Sequence, residues 1–201
     1  MDYNKQTVYN ASGVYKEAGG RILLLDDFSN VENNIDTPII GDSVEIPSIY
    51  TYSVEPYGFE INRSDNSIAD FPYNTTTAHD IITTFKIKKP SSGDSFVWIG
   101  DIVAFSVNNS NKVFFLFKDT MDYNIKYGTY NRHDNGYNWY LLADNRDDFV
   151  ISVHVKQDNI NSKFIFNNIE LCDFTDYVVN GIYLSPRYNG KVTIGSILAY
   201  K

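Results

Sequence analysis

The chain has 201 residues and a net charge of −8, and 43% of its residues are hydrophobic. That hydrophobic fraction suffices for a sizeable buried core and argues against wholesale disorder. The acidic balance, without any cluster of lysine and arginine, argues against nucleic acid or an anionic membrane as the main partner. No apolar run approaches the roughly 20 residues of a membrane-spanning helix, so we expect no membrane insertion.

The composition favours β-strands over helices. Tyrosine (16 residues) and phenylalanine (13 residues) are abundant and suit a pleated surface, whereas alanine and leucine, which favour helices, are scarce. Cys172 is the only cysteine, so no internal disulfide can form, and we expect it to pack in the core. Met1–Gln6 is polar and lacks the apolar core of a secretory signal, so none is predicted.

Residues 1–20 lack the two-residue alternation of a strand and end in two glycines, which predicts an N-terminal arm outside a main domain of residues 21–201. Two interpretations of this arm stay open, namely a frayed terminus and a segment that binds a neighbouring subunit. Arg21–Phe28 contains the run Ile-Leu-Leu-Leu and is predicted to be a strand covered on both faces.

The middle of the chain alternates between polar connections and strands. Ile39–Val54 predicts two short strands, and Arg63–Thr77 predicts a long polar connection. His79–Lys88 is a strand by its alternation, which turns four side chains inward: Ile81, Thr83, Phe85 and Ile87. Lys112–Lys118 contains Val-Phe-Phe-Leu-Phe, which is apolar on both faces and predicts a central strand.

The following segments predict a strand at Tyr123–Tyr130, a polar loop at Asn131–Gly136 and a strand at Tyr137–Leu142. The region Phe149–Lys201 then reads as several further strands. About a dozen strands with short loops, no helix and no internal repeat predict an all-β fold. We expect two packed antiparallel sheets preceded by the N-terminal arm.

The order of these features resembles the concanavalin A-like lectin/glucanase jelly roll, including its laminin G-like relatives, as found in phage structural and adhesion proteins. The first strand ends in Asp26-Asp27-Phe28, His79–Lys118 looks like the family's paired long strands, and Phe149–Leu171 looks like its strand-turn-strand unit. The resemblance implies an all-β, two-sheet antiparallel jelly-roll β-sandwich with an N-terminal arm, in which Gly190–Tyr200 pairs with the first strand. It is a pattern of strand order, so it implies a fold and leaves the function open.

The sequence offers no recognisable catalytic motif. Hydrolases of this fold family carry Glu-x-Asp-x-Glu on one strand, and no such triplet occurs here: Glu55, Glu60 and Glu170 stand apart. The three histidines, His79, His133 and His154, lack the spacing of a zinc site. We therefore predict that the chain is not an enzyme and has no catalytic residues.

Calcium is the one cofactor that the loops suggest. Asp and Asn are dense in several loops and supply the oxygen ligands that calcium takes, although the same residues are common in turns for conformational reasons. The leading candidate ligands are in the loop at 144–148: Asp144, Asp147 and Asp148.

The best candidate for a binding site is a short segment rich in aromatic and hydrogen-bonding side chains. A sugar ring has a C–H face and a rim of hydroxyls, and such side chains match both. The candidate glycan-binding residues are Tyr130, Arg132, His133, Asp134, Asn135, Tyr137 and Trp139. The alternative is that these aromatic rings fill the core or brace the sheet.

Taken together, these features favour a non-enzymatic virion protein, such as a phage tail, collar or fibre subunit assembled in the host cytoplasm. Its expected partners are other virion subunits or a second copy of the chain, bound through residues 1–20, and a host-surface glycan. The alternatives are a stand-alone carbohydrate-binding module and a polysaccharide hydrolase or lyase.

Overall fold

The computed structural model describes residues 22–55, 58–63, 71–75, 77–144, 150–158, 160–187 and 189–201. Every regular element among these residues is a strand, so the all-β prediction is confirmed. None of this described part forms a helix long and apolar enough to cross a membrane. The predicted arm, residues 1–20, lies outside the described residues.

Nineteen strands follow one another along the described chain, more than the dozen predicted, because several are only two residues long. In chain order they are β1 (Ile22–Asp26), β2 (Val31–Glu32), β3 (Ile35–Asp36), β4 (Val44–Glu45), β5 (Thr51–Glu55), β6 (Gly58–Asn62), β7 (Phe71–Asn74), β8 (Asp80–Lys88), β9 (Asp94–Ile99), β10 (Val103–Asn108), β11 (Val113–Lys118), β12 (Asp122–Ile125), β13 (Thr129–Asp134), β14 (Tyr137–Ala143), β15 (Val150–Gln157), β16 (Ser162–Phe166), β17 (Ile169–Thr175), β18 (Gly181–Ser185) and β19 (Lys191–Tyr200).

The strands form three antiparallel sheets. A nine-stranded sheet has the order β12-β17-β16-β15-β8-β19-β6-β5, with β1 also paired to β19. A seven-stranded sheet has the order β13-β14-β11-β10-β9-β18-β7, and β2-β3-β4 form a small third sheet. The chain passes back and forth between the two large sheets, and their packing gives the predicted jelly-roll sandwich.

The last strand pairs with the first, as the family resemblance implied. The first half of β19 pairs with β6, and its second half, Ile197–Tyr200, pairs with β1. The register shifts between Ile194 and Ser196. Gly58 approaches the backbone there so closely that a Cβ atom on it would lie 2.2 Å from the carbonyl oxygen of Ile194. Only glycine fits at position 58, where the backbone also has a φ of +142°.

The main core lies between the two large sheets and is built from alternate side chains of each strand. The four side chains of β8 that were predicted to face inward, Ile81, Thr83, Phe85 and Ile87, are all buried. Phe85 meets Phe105 of the facing sheet with ring centroids 5.8 Å apart. The predicted packing role of Cys172 also holds, because its side chain is fully buried.

Strand β11 is apolar on both faces, as predicted, because it contributes to two clusters. Phe115 and Phe117 point into the main core, whereas Phe114 and Leu116 point to the outer face of the seven-stranded sheet. There they join a second cluster, here called the outer cluster: Phe96, Trp98, Ala104, Phe114, Leu116, Tyr137, Trp139 and Leu141. The sandwich therefore carries an apolar layer on a face that would ordinarily meet water.

The predicted strand Tyr123–Tyr130 is divided between β12 of the nine-stranded sheet and the start of β13 of the seven-stranded sheet. Two further segments differ from the sequence prediction. The predicted polar connection Arg63–Thr77 contains β7, in which Phe71 and Tyr73 are fully buried while Pro72 is exposed on an edge strand. The predicted loop Asn131–Gly136 is mostly the edge strand β13, which pairs with β14 despite its polar side chains. In both segments, pairing with a neighbouring strand outweighs the local composition.

Candidate functional site

The predicted glycan-binding residues lie on the hairpin of β13 and β14. Asn135 and Gly136 form its turn with positive φ angles of 51° and 79°, as the Asn-Gly pair predicted. Arg132 lies opposite Trp139, and Asp134 opposite Tyr137. Because residues directly opposite each other share a face of the sheet, these four side chains occupy one face, the outer one.

Tyr130 and His133 lie on the other face of the hairpin. Tyr130 pairs with the inward-facing Tyr140, its ring centroid 5.6 Å away, and is 55% exposed at the sheet edge. His133 contacts Asp119, with 2.8 Å between Nε2 and Oδ2. The structure thus brings four of the seven predicted residues together and separates Tyr130 and His133 from them, with Asn135 at the tip.

Trp139 supports the outer face from below. Its ring is only 6% exposed, because the guanidinium of Arg132 lies over it with Cζ 4.2 Å from the ring centroid. The same guanidinium is 5.9 Å from the Phe114 ring. Trp139 therefore has no open ring face for a sugar, whereas Arg132, with 42% of its side chain exposed, is accessible.

The outer cluster also contains aromatic residues that the prediction missed. Trp98 of β9 meets Tyr137 of β14 with ring centroids 5.7 Å apart, although β10 and β11 lie between these strands. The residue of β10 that lies directly opposite Trp98 is the small Ala104, which leaves room above this strand for the contact. The sequence signal was the run Phe-Val-Trp-Ile at Phe96–Ile99, which is apolar on both faces.

Trp98 and Tyr137 are half-buried, so part of each ring reaches solvent. Tyr183 of β18 lies directly opposite Trp98 on the same face and is likewise half-buried. The three rings form a partly exposed aromatic surface above the buried members of the outer cluster. Such a surface can stack against the C–H face of a sugar.

Charged groups border this aromatic surface. Asp94 accepts a hydrogen bond of 3.4 Å from Ser106 Oγ and lies 3.8 Å from Nη2 of Arg132. Burial raises the pKa of Asp94 above the usual range, although Arg132 and the Ser106 hydrogen bond oppose this increase. Arg187 stacks over Phe96 with Cζ 5.0 Å from the ring centroid. These groups can donate and accept hydrogen bonds beside the rings.

Of the three predicted calcium ligands, only Asp144 lies among the described residues. Asp144 is exposed and forms an ion pair of 3.7 Å with Lys112. Asp147 and Asp148 lie outside the described residues. No group of three or more His, Cys, Asp or Glu side chains in the described ranges is placed to hold a metal ion. Calcium therefore stays a prediction for the loop at 144–148.

Comparison with solved structures places the fold among lectin-like and glucanase-like β-sandwiches. The chain is similar to Trypanosoma rangeli sialidase, with a TM-score of 0.61 and 7% identity over 98% of this chain and 34% of that one. It is also similar to a prokaryotic β-1,3-1,4-glucanase (lichenase) from a mouse hindgut metagenome, with a TM-score of 0.52 and 10% identity over 87% of this chain and 97% of that one.

A T. rangeli sialidase mutant with trans-sialidase activity gives a TM-score of 0.57 at 6% identity, over 89% of this chain and 30% of that one. The chain thus spans about a third of the length of the sialidases that it matches. No family model matches the sequence, and no curated protein matches it. At such low identity the similarities establish the fold.

The prediction that the chain is not an enzyme is wrong. It rested on a missing sequence motif, whereas the fold is one that a sialidase and a glucanase share. A missing linear motif is weak evidence, because carboxylates from different strands can meet in a folded sheet. The same similarities give no support to the predicted virion role or virion localisation.

Proposed function

We propose that this protein binds carbohydrate on the outer face of its seven-stranded sheet. The observation that carries the proposal is the contact of Trp98 with Tyr137, two partly exposed rings held together across two intervening strands. A sugar that stacks on these rings lies beside Arg132 and Asp94, which can bind its hydroxyls. Aromatic stacking combined with a few polar groups is the usual chemistry of such sites.

The proposed site assigns different roles to the predicted residues. Tyr137 stacks on the sugar, while Arg132 and Asp134 provide hydrogen bonds at the exposed end of the hairpin. Trp139 holds Arg132 in position from below. Tyr130 and His133 face away, so a ligand on the outer face does not need them.

A glycan array on the full chain tests this proposal. We expect Trp98→Ala and Tyr137→Ala to weaken glycan binding by roughly fivefold to tenfold, since a stacked aromatic ring contributes about 1–1.4 kcal/mol. Tyr130→Ala, on the opposite face of the same hairpin, serves as the matched control and should keep binding. Equal loss in all three variants, or no binding by the parent chain, would contradict the proposal.

A second candidate function is hydrolysis of the bound polysaccharide. The specific observation is Asp94, a half-buried carboxyl group at the edge of the aromatic surface whose pKa is raised by burial. Asp134 lies close enough to raise that pKa further, and glycosidases commonly use two carboxyl groups. Release of reducing sugar that Asp94→Asn abolishes, with glycan binding weakened less than in Trp98→Ala, would establish hydrolysis. Binding without any turnover would leave a binding domain.

On sequence grounds alone, we also propose that residues 1–20 bind other subunits of a particle or a second copy of the chain. The proposal rests on the polar, non-alternating character of that segment and lies outside the described residues. Native mass spectrometry of the full chain should then show an oligomer that a Val8→Asp/Val14→Asp double variant loses. A monomeric parent chain would contradict it.

A further inference from the structure

The three sheets meet at one buried cluster of two aspartates and a tyrosine. Asp26 ends β1 of the nine-stranded sheet, Asp36 lies in β3 of the small sheet, and Tyr73 lies in β7 of the seven-stranded sheet. Their exposed fractions are 1%, 0% and 0%. Each sheet therefore contributes one side chain to a junction that excludes water.

The hydrogen bonds at this junction leave two carboxyl oxygens without a donor, and a proton on one carboxyl group supplies it. The backbone N–H of Phe28 donates to Asp26 Oδ1 at 2.8 Å, and the Tyr73 O–H donates to Asp36 Oδ2 at 2.9 Å. The remaining oxygens, Asp26 Oδ2 and Asp36 Oδ1, have no donor when both groups are ionised. When Asp26 carries a proton, its O–H donates to the carboxylate of Asp36.

The surroundings do not neutralise a second negative charge. The other groups that act most on the pair are Asp27, which adds negative charge, and the Tyr73 hydroxyl. Glu32 and Glu45 of the neighbouring strands lie in register with Ile35, on the opposite face of the small sheet. Burial raises the pKa of Asp26 to about 8 and also raises that of Asp36. Two ionised carboxylates in this position would repel each other without a counter-ion.

We propose that the Asp26–Asp36 pair is a proton-operated junction that fastens the small sheet, β2-β3-β4, to the sandwich. With one proton held between the two carboxyl groups, the junction is closed. Loss of that proton leaves two buried like charges, and the small sheet detaches. Val44 and Ile46 pack into the main core at the small sheet, so its release exposes apolar surface at this edge of the sandwich.

Hydrogen exchange of the full chain between pH 5 and pH 8 tests the junction. After correction for the chemical exchange rate, protection of the amides in residues 31–46 should fall by up to roughly tenfold per pH unit. The Asp26→Asn variant should keep high protection at every pH, because its amide N–H replaces the shared proton. Glu45→Gln, on the exposed face of the same sheet, is the matched control and should behave like the parent chain.

Two further outcomes decide between a proton and a cation. Infrared spectra at pH 6 should show the C=O band of a protonated carboxylic acid in the parent chain and also in Asp94→Asn, since exposed carboxyl groups are ionised at that pH and Asp94 is another carboxyl group whose pKa is raised by burial. This comparison needs no substitution at the junction itself. Absence of the band would overturn the proposal, as would pH-independent protection of residues 31–46. Restored protection at pH 8 on adding calcium would show a metal site in place of the proton.

Discussion

At the scale of single residues, the buried pair Asp26 and Asp36 makes the stability of the protein depend on pH. The folded-state pKa of Asp26, about 8, lies above the unfolded value of 3.8. Between about pH 4 and pH 8, the folded state therefore holds a proton that the unfolded chain has already released. The contribution of this pair to stability is therefore fully present below about pH 4 and is lost as the pH rises toward 8.

We expect the free energy of unfolding in urea to fall between pH 5 and pH 8 by at most about 1.4 kcal/mol per pH unit. Asp26→Asn should remove most of this slope, because an amide cannot ionise. The control variant Glu45→Gln, at an exposed carboxylate of the small sheet, should keep it. A parent chain whose stability rises over this range would show that the pair is ionised in the folded state.

A second residue-scale prediction concerns Gly58. Gly58→Ala should destabilise the fold by roughly 2 kcal/mol or more, because the added Cβ would lie 2.2 Å from the Ile194 carbonyl oxygen and the backbone φ is +142°. Gly136→Ala is the matched control: it also has a positive φ, of +79°, but nothing within 4 Å of the new atom, so its cost should be nearer about 1 kcal/mol. Thermal unfolding of both variants provides the comparison. Equal losses of stability would mean that the backbones of β6 and β19 can move apart at Gly58 to admit the new Cβ atom.

At the scale of elements, β11 is buried on both faces, unlike a strand of a sandwich whose outer face is exposed to solvent. Phe115→Ala removes a ring from the main core, and Phe114→Ala removes one from the outer cluster, yet both rings are at most 2% exposed. We expect each change to cost about 3–5 kcal/mol in urea unfolding. A cost below about 1 kcal/mol for Phe114→Ala would mean that the outer cluster is loosely packed in solution.

The elements that the sequence predicted well are those in which pairing and composition agree. β8 and β11 have clear hydrophobic patterns because they are interior strands with a neighbour on each side. The pairing of β19 with β1 was implied by the strand order of the family that the sequence resembles. β13 and β7 were missed because one is polar and the other contains Pro72. Both are edge strands, where only one neighbour defines the structure and side chains carry little of the signal.

At the scale of the whole molecule, the site could be predicted only in part. The hairpin residues Arg132, Asp134 and Tyr137 are near one another in sequence, so a local search finds them. Trp98 reaches them across two strands, over the small Ala104, and such a contact depends on how the sheet curves. The strand order indicated a lectin- or glucanase-like fold, but the missing Glu-x-Asp-x-Glu motif led to the wrong prediction that the chain is not an enzyme.

The difference between the two tryptophans provides a test of the site as a whole. The chain contains only Trp98 and Trp139; the first is half-buried beside Tyr137, and the second is 6% exposed beneath Arg132. A sugar that stacks on the outer face contacts Trp98 directly and leaves Trp139 shielded. We therefore expect a glycan that binds to change the tryptophan fluorescence through Trp98 alone.

Titration of this glycan into Trp139→Phe should retain the fluorescence change, because Trp98 is still present. The same titration into Trp98→Phe should show almost none, while binding measured by calorimetry weakens only modestly, since phenylalanine preserves a ring for stacking. A change that follows Trp139 would mean that the ligand displaces Arg132 from its ring. The binding surface would then be the hairpin itself, and the contact between β9 and β14 would serve only to stabilise the sheet.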